Sequence, residues 1–303
     1  MQQTSSQTQA TGERVGSYRY GKALKIFATI LGLALLVLAA VVLYFSTVLP
    51  VQNTGPVSLS SSRGMTLQFS SQTMMLYFTS GLLAVLGLAV MAMYAWQSRL
   101  RQSSYELYEN GIAYTTRGER TYVPFTDIQD LYLFSSGQTV LTGLVTNLAF
   151  RRNASEPFHR VIEALKGFHD FQQQFRELYL NARQPQVLQT LQAGGTVTFN
   201  CIDNGQVWRK RISGDFLNVK TLPIVISRDY LQVQGSQVSI ASLRSVDTSA
   251  WSEKVVIKDA AGKPVLSTMA TGILSADLFL ETLAVLMQAP AARQEAQAAP
   301  SLA

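Results

Sequence analysis

The sequence predicts an α+β membrane protein in which a two-helix transmembrane hairpin is followed by two small antiparallel-sheet modules, each closed by a C-terminal helix. Three observations carry this prediction: two apolar runs of helical length without a charge, a dense succession of short strands with polar turns, and a return of that succession after Gly194-Gly195. Composition agrees. The chain has 303 residues, 47% of them hydrophobic and only 15% charged, with a formal net charge of +6. Pro and Gly are too few for a fibrous or low-complexity chain, and the lone Cys201 excludes a disulfide scaffold within the chain.

Residues 1–21 read as a polar, disordered cytoplasmic tail, and 22–98 as the transmembrane hairpin. From Ile26 to Leu49 no residue carries a charge, nor does any from Met74 to Trp96. At about 1.5 Å per residue, helices over about 26–49 and 74–96 are long enough to cross a hydrocarbon core of about 30 Å with some tilt. Soluble helices rarely stay apolar on every side over such a length. The polar leader before the first run is too long, and the run itself too extended, for a cleaved signal peptide. Arg14, Arg19, Lys22 and Lys25 precede the first run, Arg63 alone lies between the two, and Arg99 and Arg101 follow the second. This bias places both termini in the cytoplasm and the Ser-rich 50–73 loop outside. Tyr44, Phe45, Tyr94 and Trp96 suit the two interfaces, and the pairs Ala28/Gly32 and Ser80/Ala84 would let the helices approach closely. Neither span holds an acid, a base or a histidine, so transport and channel chemistry lose their usual marks.

The first module is expected over 104–193. Strands alternate around Tyr105 and Leu107, turn at Asn110-Gly111, return through Ile112-Ala113-Tyr114, and continue over 120–125, 128–134, 139–142 and 144–151. Connections this short fit antiparallel pairing. A helix with Ser155 as N-cap and Pro157 in its first turn is expected next. Its apolar positions are Phe158, Val161, Ile162, Leu165, Phe168, Phe175 and Leu178; it would end before Pro185, with a shorter helical stretch over 186–191. The second module, 195–288, offers strands at 196–201, 207–212, 223–227, 230–233, 237–240, 246–251, 255–258 and 264–269. A helix over about 275–287 follows, capped by Ser275 and apolar through Leu278, Phe279, Leu283 and Leu286. The tail 289–303 is rich in Ala, Gln and Pro and reads as disordered. Leu107 to Ile112 and Val123 to Asp130 align with Leu231 to Gly235 and Val238 to Val246, as a duplicated module would.

The segment Tyr108-Glu109-Asn110-Gly111-Ile112, followed by Val123-Pro124-Phe125-Thr126-Asp127-Ile128, resembles bacterial pleckstrin-homology-like (PH-like) domains, which are often attached to membrane helices. The resemblance implies two nearly orthogonal antiparallel sheets closed by a helix, and scaffolding or interaction rather than catalysis. Some relatives of that family bind inositol phosphates through basic residues in the first hairpin; here acidic Glu106 and Glu109 flank the turn.

Catalytic constellations are sparse. His159 and His169 are expected on one helix, about 80° apart around its axis and facing solvent. Cys201 reads as a small core residue, and Asp127 and Asp130 as acids that bound a turn. No phosphate loop, dinucleotide fingerprint, nucleophile elbow or metalloprotease signature is found, so neither a cofactor nor a metal is expected. Arg151-Arg152 and Arg209-Lys210-Arg211 are candidates for contact with anionic lipid headgroups, while neither cluster is dense enough for a nucleic-acid footprint. The expectation is a non-catalytic interaction or scaffold protein at the bacterial inner membrane, with a protein partner. The alternative is an enzyme, or an accessory subunit of an enzyme or transporter, acting on membrane material.

Overall fold

The structure, a computed structural model, describes residues 11–48, 55–60, 66–98, 101–135, 145–203, 205–206, 216–249 and 254–298. The chain divides into two units. One is residues 20–102, and the other combines residues 1–19 with 103–303.

The smaller unit is built from helices α1 (Ala23–Val48) and α2 (Gln72–Ser98), with a two-stranded antiparallel hairpin, β2 (Val57–Ser60) and β3 (Thr66–Phe69), between them. Both helices are long and apolar enough to cross a membrane. Small residues let them pack: Ala28 and Ala39 of α1 and Ser80 of α2 are buried in the seam, and Ser80 Oγ donates to the carbonyl of Ala39 at 2.8 Å. A side chain on Gly87 would bring its Cβ to 3.1 Å from the carbonyl oxygen of Gly32, so the closest approach relies on two glycines. The expected Ala28, Gly32 and Ser80 lie in this seam, with Ala84 half-buried beside them. Away from it Leu33, Val37, Leu82 and Val85 stay exposed. Such an apolar belt would be costly in water and is at home in hydrocarbon.

The larger unit repeats one order of elements. First comes a four-stranded sheet in the order β1-β4-β5-β6, from β1 (Arg14–Arg19), β4 (Ser103–Tyr108), β5 (Gly111–Thr116) and β6 (Glu119–Pro124). A 3-10 turn at Phe125–Asp127 leads into a three-stranded sheet of β7 (Asp130–Phe134), β8 (Asn147–Arg151) and β9 (His159–Ile162), and helix α3 (Phe168–Gln192) follows. Then the order returns. A second four-stranded sheet, β10 (Val197–Ile202), β11 (Thr221–Ile226), β12 (Tyr230–Val233) and β13 (Ser236–Ser239), passes through a 3-10 turn at Ile240–Ser242. It continues into a three-stranded sheet of β14 (Leu243–Ser249), β15 (Lys254–Asp259) and β16 (Pro264–Met269), and ends with helix α4 (Ala276–Ala298).

Corresponding hydrogen bonds make the repetition specific. The N–H of Phe125 donates to Asn110 and that of Ile240 to Asp229, both at 2.9 Å, which ties each 3-10 turn to the hairpin two strands earlier. The N–H of Lys166 donates to Arg19 at 3.1 Å, and that of Leu274 to Asn200 at 2.8 Å, so β1 and β10 hold equivalent places. Arg117-Gly118 and Gln234-Gly235 each turn through two positive φ angles, matching the two-residue turns that suit a twisted hairpin. Gly167 (φ 73°) and Ser275 (φ 55°) stand at the two helix entrances. These equivalences correct the sequence alignment: Asn110 corresponds to Asp229, and the turn matching Gln234-Gly235 is Arg117-Gly118. The hairpin β12–β13 is two residues shorter on each strand than β5–β6, and this shifts the simplest match of the two sequences.

The first module therefore begins at β1 and is interrupted: residues 20–102 lie between its first and second strands. Residues 14–19, expected within a disordered tail, pair antiparallel with β4 from Arg14↔Tyr108 to Arg19↔Ser104. At the other end α4 runs to Ala298, where a disordered tail was expected from 289. The helix expected to start at Ser155 starts at Phe168, and His159–Ile162 is a strand instead. The spacing of Phe158, Val161, Ile162 and Leu165 suits a helix, and so short an apolar run is ambiguous from periodicity alone. Pairing with β8, from Phe150↔His159 to Asn147↔Ile162, decides it. The two histidines thus share no helix. Helix α3 also runs through Pro185, because Val187 and Leu191 beyond it are buried and hold the last turns in place despite the missing donor. The strands expected at 139–142 and 207–212 lie outside the described residues.

Each module has its own apolar interior. Leu107, Ile112, Phe125, Leu148, Val161, Phe171 and Phe175 are fully buried in the first, and Ile224, Leu231, Val255, Ile257, Phe279 and Leu283 in the second.

Candidate functional site

The two modules meet over the outer face of β7–β9. Alternation along β7 sends Tyr132 and Phe134 outward, and with Ala149 and Phe158 they pack against Ile202, Phe216, Met269 and Leu274 of the second module. Tyr132 stacks on Phe134 with ring centroids 4.6 Å apart, and Phe134 on Phe216 at 5.2 Å.

A buried polar cluster bounds this contact. Asp130 is 1% exposed and accepts from Arg151 Nε and Nη2, both at 2.6 Å, and from Asn200 Nδ2 of the second module at 2.9 Å. Beside it, Ser275 accepts from the N–H of Leu131 at 3.0 Å through its Oγ, and its own N–H donates to the Leu131 carbonyl. Tyr179 Oη lies 2.8 Å from the same Oγ. Ser275 precedes α4 as expected of a cap, yet its hydroxyl is engaged with the first module. Arg176 of α3 grips Asp277 of α4 through Nε and Nη2, at 2.6 and 2.8 Å.

The residues singled out for lipid contact separate. The side chain of Arg151 is 10% exposed; besides Asp130 it lies over the Phe158 ring at 4.4 Å and donates to the Ala154 carbonyl. Its charge is thus engaged inside the fold. Arg152 is exposed and pairs with Glu156 at 2.8 Å. Arg209, Lys210 and Arg211 lie outside the described residues.

The other chemical groups are packed into the core or its margin. His159 stacks on Tyr114 at 4.0 Å, and its Nε2 is 3.2 Å from Tyr105 Oη. Burial pushes its pKa down to about 4, so the ring is neutral at physiological pH. This overturns the solvent-facing expectation for His159, while His169 on α3 is exposed. Cys201 is buried on β10, and burial raises its thiol pKa, with Asp203 adding to the rise; it stays a thiol, the less reactive form. Among the described residues no three His, Cys, Asp or Glu side chains converge as a metal site. A cavity of about 450 Å³ opens between α3, α4 and the β11–β12 turn, lined by Leu188, Leu191, Arg228, Asp229, Ile240 and Leu286.

One further surface depends on tertiary structure. Arg19 ends β1, Ser104 faces it across the strand pair, and Lys166 is held to Arg19 by its backbone hydrogen bond. Arg19 and Lys166 are both exposed. Sequence reasoning sees Arg19 as a topology signal and Lys166 as one polar residue of a helix; no local pattern could have put them together.

No protein-family model matches the chain, and no curated protein matches it.

Proposed function

We propose that this chain is a membrane-anchored interaction or scaffold protein, without catalysis of its own, that presents two PH-like modules at the cytoplasmic face of the bacterial inner membrane. The observation that carries the reading is the pairing of β1 with β4. These strands flank residues 20–102 in sequence, so the two ends of the apolar helix pair return to one sheet. That suits a hairpin crossing the bilayer twice, with both flanks on the same side. The basic flanks before α1 and after α2 support the reading of that side as the cytoplasm. The repeated order of four strands, three strands and a helix supports the PH-like reading of both modules. A small module that offers a surface works by holding a partner, and the tandem here is stiffened by Asp130, Ser275 and the Arg176–Asp277 pair.

Two experiments test this. Purification of the full chain in a gentle detergent is expected to bring down a stoichiometric protein partner; turnover of membrane material by the isolated chain would overturn the scaffold reading in favour of an enzyme. For topology, a cysteine is moved from position 201 into the 50–73 loop. Labelling by an impermeant maleimide from the external side is expected, and labelling only from the cytoplasmic side would refute the hairpin.

A further inference from the structure

We propose that the cavity between α3, α4 and the β11–β12 turn is a binding site for a free amino acid with a large apolar side chain. Its described lining residues all belong to the larger unit, so the site is independent of where the apolar helix pair lies. At about 450 Å³ it falls within the range of about 300–1,000 Å³ usual for small-molecule sites, which favour the junctions of folded units. Buried Leu191, Ile240 and Leu286 line it, together with half-buried Leu188 and exposed Val285. Leu188 and Leu191 come from the turns of α3 beyond Pro185, and the other three from the second module. The tandem therefore makes a space that neither module has alone.

The repeat explains why this space is open. In the first module Arg183 crosses from α3 to the 3-10 turn, where its Nη1 donates to the Thr126 carbonyl at 2.9 Å and to Gln186 Oε1 at 3.1 Å. The matching residue of the second 3-10 turn is Ala241, which lines the cavity. Counted from the left-handed Gly167 and Ser275, Phe171 matches Phe279, both fully buried. The same count matches Arg183 with Ala291, which has no side-chain donor. An arginine that bridges helix and turn in one copy is thus replaced by alanine in the other.

Charge at the rim sets the ligand class. Arg228 and Asp229 are neighbours on the β11–β12 turn; both line the cavity and both are exposed. Neither enters an ion pair among the described residues. The backbone beneath them is fixed, because the Asp229 N–H donates to Ser227 Oγ at 3.1 Å and the Asp229 carbonyl accepts from Ile240 at 2.9 Å. Gln192 and Ser239 complete the rim with uncharged polar groups. One cation and one anion side by side at the mouth of an apolar cavity suit a ligand that carries both charges on one carbon atom. An α-amino acid does so, with its carboxylate toward Arg228, its ammonium toward Asp229 and its side chain among the leucines. A ligand with one charge alone would leave a rim group facing its like or facing nothing.

Equilibrium dialysis of the full chain in nanodiscs against labelled L-phenylalanine tests this, with empty nanodiscs as the blank. Saturable binding at one site per chain is expected. As competitors, 3-phenylpropionate, which lacks the ammonium, and phenethylamine, which lacks the carboxylate, should each be about fivefold weaker than phenylalanine, the scale of one exposed charge pair. L-Alanine keeps both charges and should be at least about tenfold weaker, because it leaves the apolar walls uncovered. Arg228→Gln and Asp229→Asn are each expected to weaken phenylalanine about fivefold. Both positions are exposed and both variants keep the backbone bonds of the turn. Val285→Trp, at a helix position 41% exposed, should fill the cavity and abolish binding while the chain stays folded. Lack of saturable binding at millimolar phenylalanine, equal competition by either single-charge analogue, or undiminished binding by Val285→Trp would overturn the inference.

Discussion

Asn200 of the second module donates to the carboxylate of Asp130 in the first at 2.9 Å, while the other oxygen of that carboxylate holds Arg151 at 2.6 Å. One buried acid thus joins a strand pair inside one module to the edge strand of the next. Asp130→Ala is expected to destabilise the chain by about 3–5 kcal/mol, because it leaves the Arg151 guanidinium buried without its counter-charge. Replacing Arg151 by Met in the same background should recover part of the loss. Denaturant unfolding of the chain in detergent measures both. A single-variant loss below about 1 kcal/mol would show that the cluster is not a structural joint.

Ser275 combines a left-handed backbone with a hydroxyl at the junction of the modules. Ser275→Ala keeps the unfavourable φ and leaves the Leu131 N–H and the Tyr179 hydroxyl short of a partner, an expected loss of about 2–3 kcal/mol. Ser275→Gly loses the same bonds but relieves the backbone, worth about 1 kcal/mol in the opposite direction. The glycine variant should therefore melt above the alanine variant. The reverse order would mean that backbone strain at this position is negligible.

His159 makes stability depend on pH with a definite sign. Its folded pKa is about 4, below the 6.5 of the free side chain, so the unfolded chain takes up the proton first as pH falls. Its neutral burial is favourable above 6.5, and up to about 3 kcal/mol is lost as pH falls from 6.5 to 4. In His159→Phe, stability over this window should fall less steeply than in the parent chain. Parallel pH profiles would place the ring in water.

Tyr18 seats β1 on the first module: its ring meets Phe171 edge-on at 5.2 Å, and its hydroxyl donates to Gln174 at 2.8 Å. Tyr18→Phe should cost only the hydrogen bond, about 1 kcal/mol. Deleting residues 1–19 should cost considerably more and increase aggregation, since β4 becomes a bare edge. Equal stability of the truncated and full chains, measured by melting in detergent, would show β1 to be dispensable.

Much of this architecture is legible in sequence because the signals are local. The uncharged runs mark α1 and α2 within a few residues, and the first hairpin turn, expected at Asn110-Gly111 from turn chemistry, falls one residue earlier, at Glu109-Asn110. What was misread involves residues whose state depends on distant partners. Val161 and Ile162 fit a helix until β8 is beside them, and Arg14 to Arg19 look like tail until β4 supplies its hydrogen bonds. Arg151 looks like a surface charge until Asp130 is found beneath it.

The sequence by itself determined the presence of two apolar helices, the strand-rich character of the remainder and the sense of the charge bias, since each depends on composition and periodicity over a short window. Only the tertiary structure decided that the first module starts before the apolar helices and resumes after them, that Asp130 joins the modules, and that Lys166 stands beside Arg19. Strand pairing and ion pairing bring together residues far apart in the chain, and no local pattern encodes which partner a backbone donor or a buried charge will meet.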